Sequence, residues 1–210
     1  SEVHRHEQEL MTKDATIREI HHRVKNNLQT VSALLRLQSR RSSEEAVKVA
    51  LAEAERRVQA IATVHAALSQ NVDESVDFDE VARTIVRMAG AIASTDHAVE
   101  VITTGSFGTI QADQAQALAT VLNELVANSV EHGLADRDGL IAVRAEREGT
   151  SMTVTVADDG VGFVPGTPMS GLGTQIVHQM VRGELKGSIE WAPREGGGTL
   201  VTLHANLDPA

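Results

Sequence analysis

Cysteine is absent from the chain, which excludes disulfides and thiolate metal sites. Such a chain suits a reducing compartment, and a cytoplasmic protein is the expectation. Aromatic residues make up only 2%, with no Tyr and one Trp. That excludes a stacking platform for single-stranded bases. Cations are outnumbered, 19 Lys and Arg against 29 Asp and Glu, for a formal net charge of -10. General nucleic-acid binding needs a basic surface and is not expected. No stretch holds the ~18 to 20 consecutive apolar residues of a membrane span, and no signal peptide is visible. The chain opens already in helical pattern, at Ser1-Glu2-Val3-His4. An input region upstream is therefore expected.

Apolar residues make up 41% of 210 residues, enough for one large core or two small ones. The first third reads as helix. Leu10, Ile17, Val24 and Val31 recur at sevens, with Ile20, Leu28 and Leu35 beside them. The spacing predicts a helix from Val3 to Arg41, too long to stand outside a bundle or coiled coil. Ser42-Ser43 followed by Glu44 and Glu45 predicts a turn with an N-cap. A second helix then carries Val47, Ala54, Ile61 and Leu68 at sevens, with Leu51, Val58 and His65 between. His65 in that stripe is expected as a packed core histidine. Two such helices make an antiparallel hairpin. A hairpin alone buries both stripes poorly, so a homodimer forming a four-helix bundle is expected.

Asn71-Val72-Asp73-Glu74-Ser75 breaks the heptads. The expected division is residues 1–72 and 73–210. Beyond it the pattern is mixed α and β. Helices are predicted over Phe78–Ala93, Ala112–Glu131 and Thr174–Val181. Strands are predicted around Val99–Thr103, Phe107–Ile110, Ile141–Glu146, Met152–Ala157, Ser188–Trp191 and Thr199–His204.

Within the first helix stands Glu19-Ile20-His21-His22-Arg23-Val24-Lys25-Asn26-Asn27. At ~100° per residue, His22 points about 140° from Ile17, whereas His21 points about 40° from it. His22 should face water and His21 should be half packed. Taken alone, His22 reads equally well as part of a solvated face.

Three pieces of the second part fit one ligand. Glu124 and Asn128 share a face of an apolar helix. A carboxylate and an amide oxygen there must find partners, and hard oxygens suit Mg²⁺ shared with substrate phosphates. Asp158-Asp159-Gly160-Val161-Gly162 follows a strand. The acid can accept a hydrogen bond from a flat heterocycle, and glycines let it approach the backbone. Ser170-Gly171-Leu172-Gly173-Thr174 opens a helix, where free amides favour phosphate. It is neither a Walker loop nor a Rossmann fingerprint. A Gly196-Gly197-Gly198-Thr199 turn follows.

In that order, these motifs resemble the ATP-binding fold shared by histidine kinases, DNA gyrase, Hsp90 and MutL. That implies an α/β sandwich after the helical hairpin. His22-Arg23-Val24-Lys25-Asn26 resembles the phosphoacceptor motif of sensor histidine kinases with a His-Arg-Val-Lys-Asn signature. Within them it is similar to actinobacterial cytosolic kinases paired with RNA-binding antiterminator response regulators. The resemblance implies ATP and Mg²⁺ as cofactors and a receiver domain as partner. His22 would be phosphorylated; Asn128 would hold Mg²⁺, and Glu124 would position water or metal. Asp158 would bind adenine, with Gly160, Gly162, Gly171 and Gly173 lining the nucleotide and Thr199 near the base. There are departures. Arg23 stands where many kinases have an acid, which leaves Glu19, one turn back, as a candidate to activate His22. Glu131 replaces a common Lys, which leaves His132 as a candidate for the terminal phosphates. Rival expectations are a gyrase- or Hsp90-like ATPase switch and a nucleotide-dependent binding module.

Overall fold

The computed structural model describes residues 2–71, 73–93, 97–135, 137–166 and 171–209. It divides the chain into two compact units, residues 1–76 and 77–210. The break falls four residues past the expected one.

The first unit is a helical hairpin of α1 (Glu2–Arg41) and α2 (Glu45–Leu68). Its turn differs in detail from expectation. Glu44, in extended backbone, occupies the N-cap position without a side-chain bond. Ser42 Oγ instead accepts from the Glu44 amide at 3.2 Å and so holds the turn.

The packed seam of α1 also differs. Positions turned away from solvent run through Ile17, His21, Val24, Leu28, Ser32, Leu35 and Ser39. The steps are threes and fours, and the mean direction lies about 30° from the Leu10-to-Val31 line at ~100° per residue. Besides Ser39, whose Oγ donates to the Lys48 carbonyl at 3.5 Å, two polar residues hold seam positions because each has partners across the seam. Ser32 Oγ donates to Glu55 Oε1 at 3.3 Å and accepts from Gln59 Nε2 at 3.0 Å. Arg36 closes on the same Glu55 oxygen at 2.7 Å. The other polar residue is His21. Left outside the seam, Ile20, Val31 and Leu34 stay more than 40% exposed and lie within about 60° of one another.

The chain enters the second unit through a short strand, β1 (Ser75–Asp77). Then come α3 (Phe78–Ala93), β2 (Val99–Gly105), β3 (Thr109–Gln111) and α4 (Ala112–Asn128). A π-turn (Ser129–Gly133) extends α4. There follow β4 (Gly139–Glu148), β5 (Ser151–Asp158), α5 (Leu172–Arg182), β6 (Ser188–Pro193) and β7 (Thr199–Asn206). Five strands form one sheet in the order β2-β4-β5-β7-β6. β2 and β4 run parallel and the other pairs antiparallel.

Alternation sets the layers. Ile141, Val143, Met152, Val154, Val156, Val201 and Leu203 are buried on one sheet face. α4 packs between α3 and α5, and Leu118, Leu122, Leu125 and Val126 bury its apolar surface. The result is the expected α/β sandwich. The short strand predicted at Phe107–Ile110 starts at Thr109 instead, and Phe107 goes into the core beside Phe78, ring centroids 5.3 Å apart.

Candidate functional site

The candidate site has a part in each unit. On α1, His22 is exposed, as its helical position requires. His21 turns inward and is 8% exposed. Its Nδ1 lies 2.9 Å from His65 Nδ1, and its Nε2 lies 3.1 Å from Glu74 Oε1. His65 is thus buried in the hairpin as expected, but with a histidine partner that its spacing did not announce. Burial, and then the charge of His21, push the His65 imidazole below the ordinary histidine value. Glu19, the candidate to activate His22, accepts from Arg23 Nε at 3.0 Å instead. The i,i+4 pair forms because both residues lie on one exposed face.

In the second unit three segments close on Asp158, the last residue of β5. Its side chain is 3% exposed. Oδ1 accepts from the Gly160 amide at 3.0 Å and the Thr199 amide at 3.3 Å. These two bonds fix the carboxylate and, with it, the start of β7. Gly133 presses on the same carboxylate from the end of the π-turn: a Cβ there would stand 2.9 Å from its oxygens. The Gly133 carbonyl accepts from the Val161 amide at 2.9 Å. Gly198 has φ 97°, and a Cβ on it would run into the Asp158 carbonyl. Only glycine meets both demands. A side chain on Gly162 would meet the Gly198 carbonyl at 3.1 Å.

Of the predicted residues, Asp158, Gly160, Gly162 and Thr199 are brought together directly. Glu124 is buried in α4, and Asn128 ends that helix half-buried, four residues on along the same face. His132 is exposed in the π-turn. Gly171 caps α5, with φ 124° and open space around it, and its carbonyl accepts from Gln175. Gly173 lies in the first turn of α5. Ser170, the first residue of the Ser170–Thr174 motif, lies outside the described residues.

Two features were missed in sequence. Gly198 reads in sequence only as part of a turn, and Gly133 gives no signal of its own as a site residue; both are walls of the Asp158 pocket. The π-turn, in which the Leu134 amide bonds to the Ser129 carbonyl at 2.8 Å, carries no local signature. Its wider turn brings Gly133 against Asp158.

The arrangement can present a fixed carboxylate edge to a flat heterocycle, with bare backbone on either side. Among the described residues no trio of His, Asp and Glu gathers to hold a metal ion. Glu124 and Asn128 offer two hard oxygens, so a cation would complete its shell with phosphate oxygens.

Comparison with known proteins agrees with this geometry. Residues 19–92 match the family described as histidine kinase. Residues 113–209 match the histidine kinase-, DNA gyrase B- and HSP90-like ATPases. The sensor histidine kinase PdtaS of Mycolicibacterium smegmatis is 46% identical over 212 residues, covering 99% of this chain and 42% of that protein. The chain therefore spans less than half the length of that relative. Blue-light-activated histidine kinase 2 of Erythrobacter litoralis is 28% identical over 92% of this chain and 58% of its own length. The fold matches the solved histidine kinase domain of the Erythrobacter litoralis blue-light-activated kinase EL346, with a TM-score of 0.66 at 24% identity. That match covers 95% of this chain and 94% of the other. With both of its characteristic domains present in order, the chain belongs to the sensor histidine kinase family.

Proposed function

We propose that this chain is a kinase core that phosphorylates itself on His22 and passes the phosphoryl group to an aspartate of a response regulator. The observation that carries this is the opposite fate of two adjacent histidines. His21 is buried and bonded, while His22 faces water on a helix whose neighbouring residues match the phosphoacceptor signature. A gyrase-like ATPase or a binding module needs no such outward histidine.

In this reading adenine sits against Asp158, whose Oδ1 is held by two backbone amides so that Oδ2 can accept from the base. The glycine walls let the ring approach backbone closely. Gly171, Gly173 and the free amides at the start of α5 face the phosphates. Asn128 and Glu124 would hold Mg²⁺, which offsets phosphate charge and orients the γ-phosphoryl group. His132, exposed in the π-turn, would meet the terminal phosphate. A ring nitrogen of neutral His22 then attacks phosphorus in line. The N–P bond forms as the bond to the β,γ-bridging oxygen breaks, ADP departs and the ring proton goes to solvent or a base. The protein contributes positioning and charge, as in phosphoryl transfer generally. Transfer onward to an aspartate needs His22 accessible to a second protein, which its exposure provides.

A homodimer fits the apolar stripe of Ile20, Val31 and Leu34. A cytoplasmic location fits the need for ATP and a receiver domain; among the described residues no helix is long and apolar enough to cross a membrane. The test is incubation with γ-labelled ATP. Acid-labile, alkali-stable label that vanishes in His22→Gln, with ATP binding retained, is the expected result. Label that survives this substitution, or steady ATP hydrolysis without protein labelling, would overturn the reading.

A further inference from the structure

Beside His22 runs a hydrogen-bonded chain that the phosphotransfer chemistry leaves unused. Glu74 Oε1, His21 and His65 are joined at 3.1 Å and 2.9 Å, and both rings are 8% exposed. The chain ties α1, one residue before the phosphoacceptor, to the last turn of α2. It also ties α1 to a link that reaches the second unit at Asp77, three residues beyond Glu74.

The partners fix the proton count. A carboxylate only accepts, so His21 carries a proton on Nε2. In the neutral ring Nδ1 is then bare, and His65 donates to it from its own Nδ1. One added proton is tolerated. His21 then donates from Nδ1 as well, to a His65 that has its proton on Nε2. A second is not tolerated, because two Nδ1–H groups would face each other across 2.9 Å. The link therefore stands only while the pair holds at most one positive charge.

The direction of the His65 shift agrees. Burial first, and then the charge of His21, lower its affinity for a proton. A histidine lowered in the folded state contributes stability above its unfolded value of about 6.5, and that contribution is lost as pH falls below it. The other charged or titratable groups within four residues of His21 on α1 are Arg18, Glu19, His22, Arg23 and Lys25, with Glu19 and Arg23 paired to each other, and Asp73 stands beside Glu74 on the link. α2 offers Ile61, Ala62, Leu68 and Ser69 within the same reach, none of which titrates.

Rotation is the consequence. Successive residues on α1 are ~100° apart, so pinning His21 against α2 turns His22 to solvent. We infer that His65 and Glu74, acting through His21, are positioning residues that hold α1 in the rotation presenting His22 and release it when the pair takes a second proton. This rests on the kinase reading, and the experiment separates the two.

Initial autophosphorylation rates of the full chain are measured with γ-labelled ATP from about pH 5.5 to about pH 8.5, with the KM for ATP at each pH. Ratios of variant to wild type cancel the titration of ATP itself. His65→Leu keeps the site filled but leaves His21 Nδ1 without its partner; its rate near neutral pH should fall about tenfold with KM unchanged. His65→Asn puts an amide nitrogen where His65 Nδ1 stood and does not titrate. It should return to within about threefold of wild type near neutral pH, and its ratio to wild type should rise as the pH is lowered. Glu74→Gln keeps an acceptor but removes the charge, so the acid fall should move to lower pH. Independently of activity, ¹⁵N spectra of the histidines near about pH 8 should show His21 as the Nε2–H tautomer and His65 as the Nδ1–H tautomer. The inference is overturned by any of three results: His65→Leu at the wild-type rate, His65→Asn with a ratio to wild type that stays flat at acid pH, or both rings as Nε2–H. A wild-type chain that takes no label would instead overturn the kinase reading, while the tautomers would still report on the link.

Discussion

At Asp158 one carboxylate oxygen is held by two backbone amides, and the proposed function gives the other to adenine; the two roles can be separated. Asp158→Asn keeps an oxygen that can accept from the Gly160 and Thr199 amides. It replaces the outward acceptor with a donor, which costs about 1.5–3 kcal/mol of a charge-assisted hydrogen bond. ATP affinity should fall roughly tenfold to a hundredfold by calorimetry, with little change in melting temperature. Asp158→Ala should lose affinity and stability together, because the buried Gly160 amide is orphaned at about 1–3 kcal/mol and the part-buried Thr199 amide loses its partner as well. Equal melting temperatures for the two variants would show that the amides do not depend on this side chain. Asn128→Ala makes the complementary case: Mg²⁺-dependent ATP binding should disappear while the unfolding transition stays in place. At the phosphoacceptor, His21→Gln should slow labelling without abolishing it, whereas His22→Gln should abolish it. The reverse pattern would mean that the face of α1 has been assigned wrongly.

Among the elements, α1 shows what a sequence can reveal and what it hides. Its length, its heptad period and the outward aim of His22 follow from local spacing. The true line of the seam does not, since His21 reads only as half packed and a serine such as Ser32 gives no apolar signal. Their partners Glu55, Gln59, His65 and Glu74 lie 23 to 53 positions away along the chain. The second unit was legible for the same reason as α1: alternating strands and apolar helices announce themselves over short windows. The π-turn and the wall glycines were not, because a wider helical turn and a close backbone approach are properties of the folded neighbourhood. The rotated seam changes how assembly should be tested. Leu28 faces α2 within the hairpin, so Leu28→Glu should destabilise the unit itself by several kcal/mol. Ile20→Glu with Leu34→Glu alters only the exposed stripe. That pair should convert a dimer to a folded monomer in sedimentation, with helix content by circular dichroism unchanged. A dimer that persists in the double variant would place the contact elsewhere.

For the whole molecule, the division at Val76 and Asp77 separates His22 from the residues proposed to bind ATP. Each unit has its own core, so each should fold alone. Residues 77–210 should bind Mg-ATP within about threefold of the full chain, because every residue assigned to the nucleotide lies there. They should take no label, since His22 lies in the other unit. Adding the hairpin, residues 1–76, should restore labelling on His22 by collision. The rate should rise linearly with hairpin concentration at first. A short tether supplies an effective concentration on the order of mM, so about 10 µM hairpin should work roughly a hundredfold more slowly than the intact chain. His65→Leu in the hairpin should lower this collisional rate in the same proportion as in the full chain, because the His21–His65 bond lies wholly within that unit. If the defect appears only when the two units are joined, then the Glu74 link rather than the rotation of α1 controls the presentation of His22.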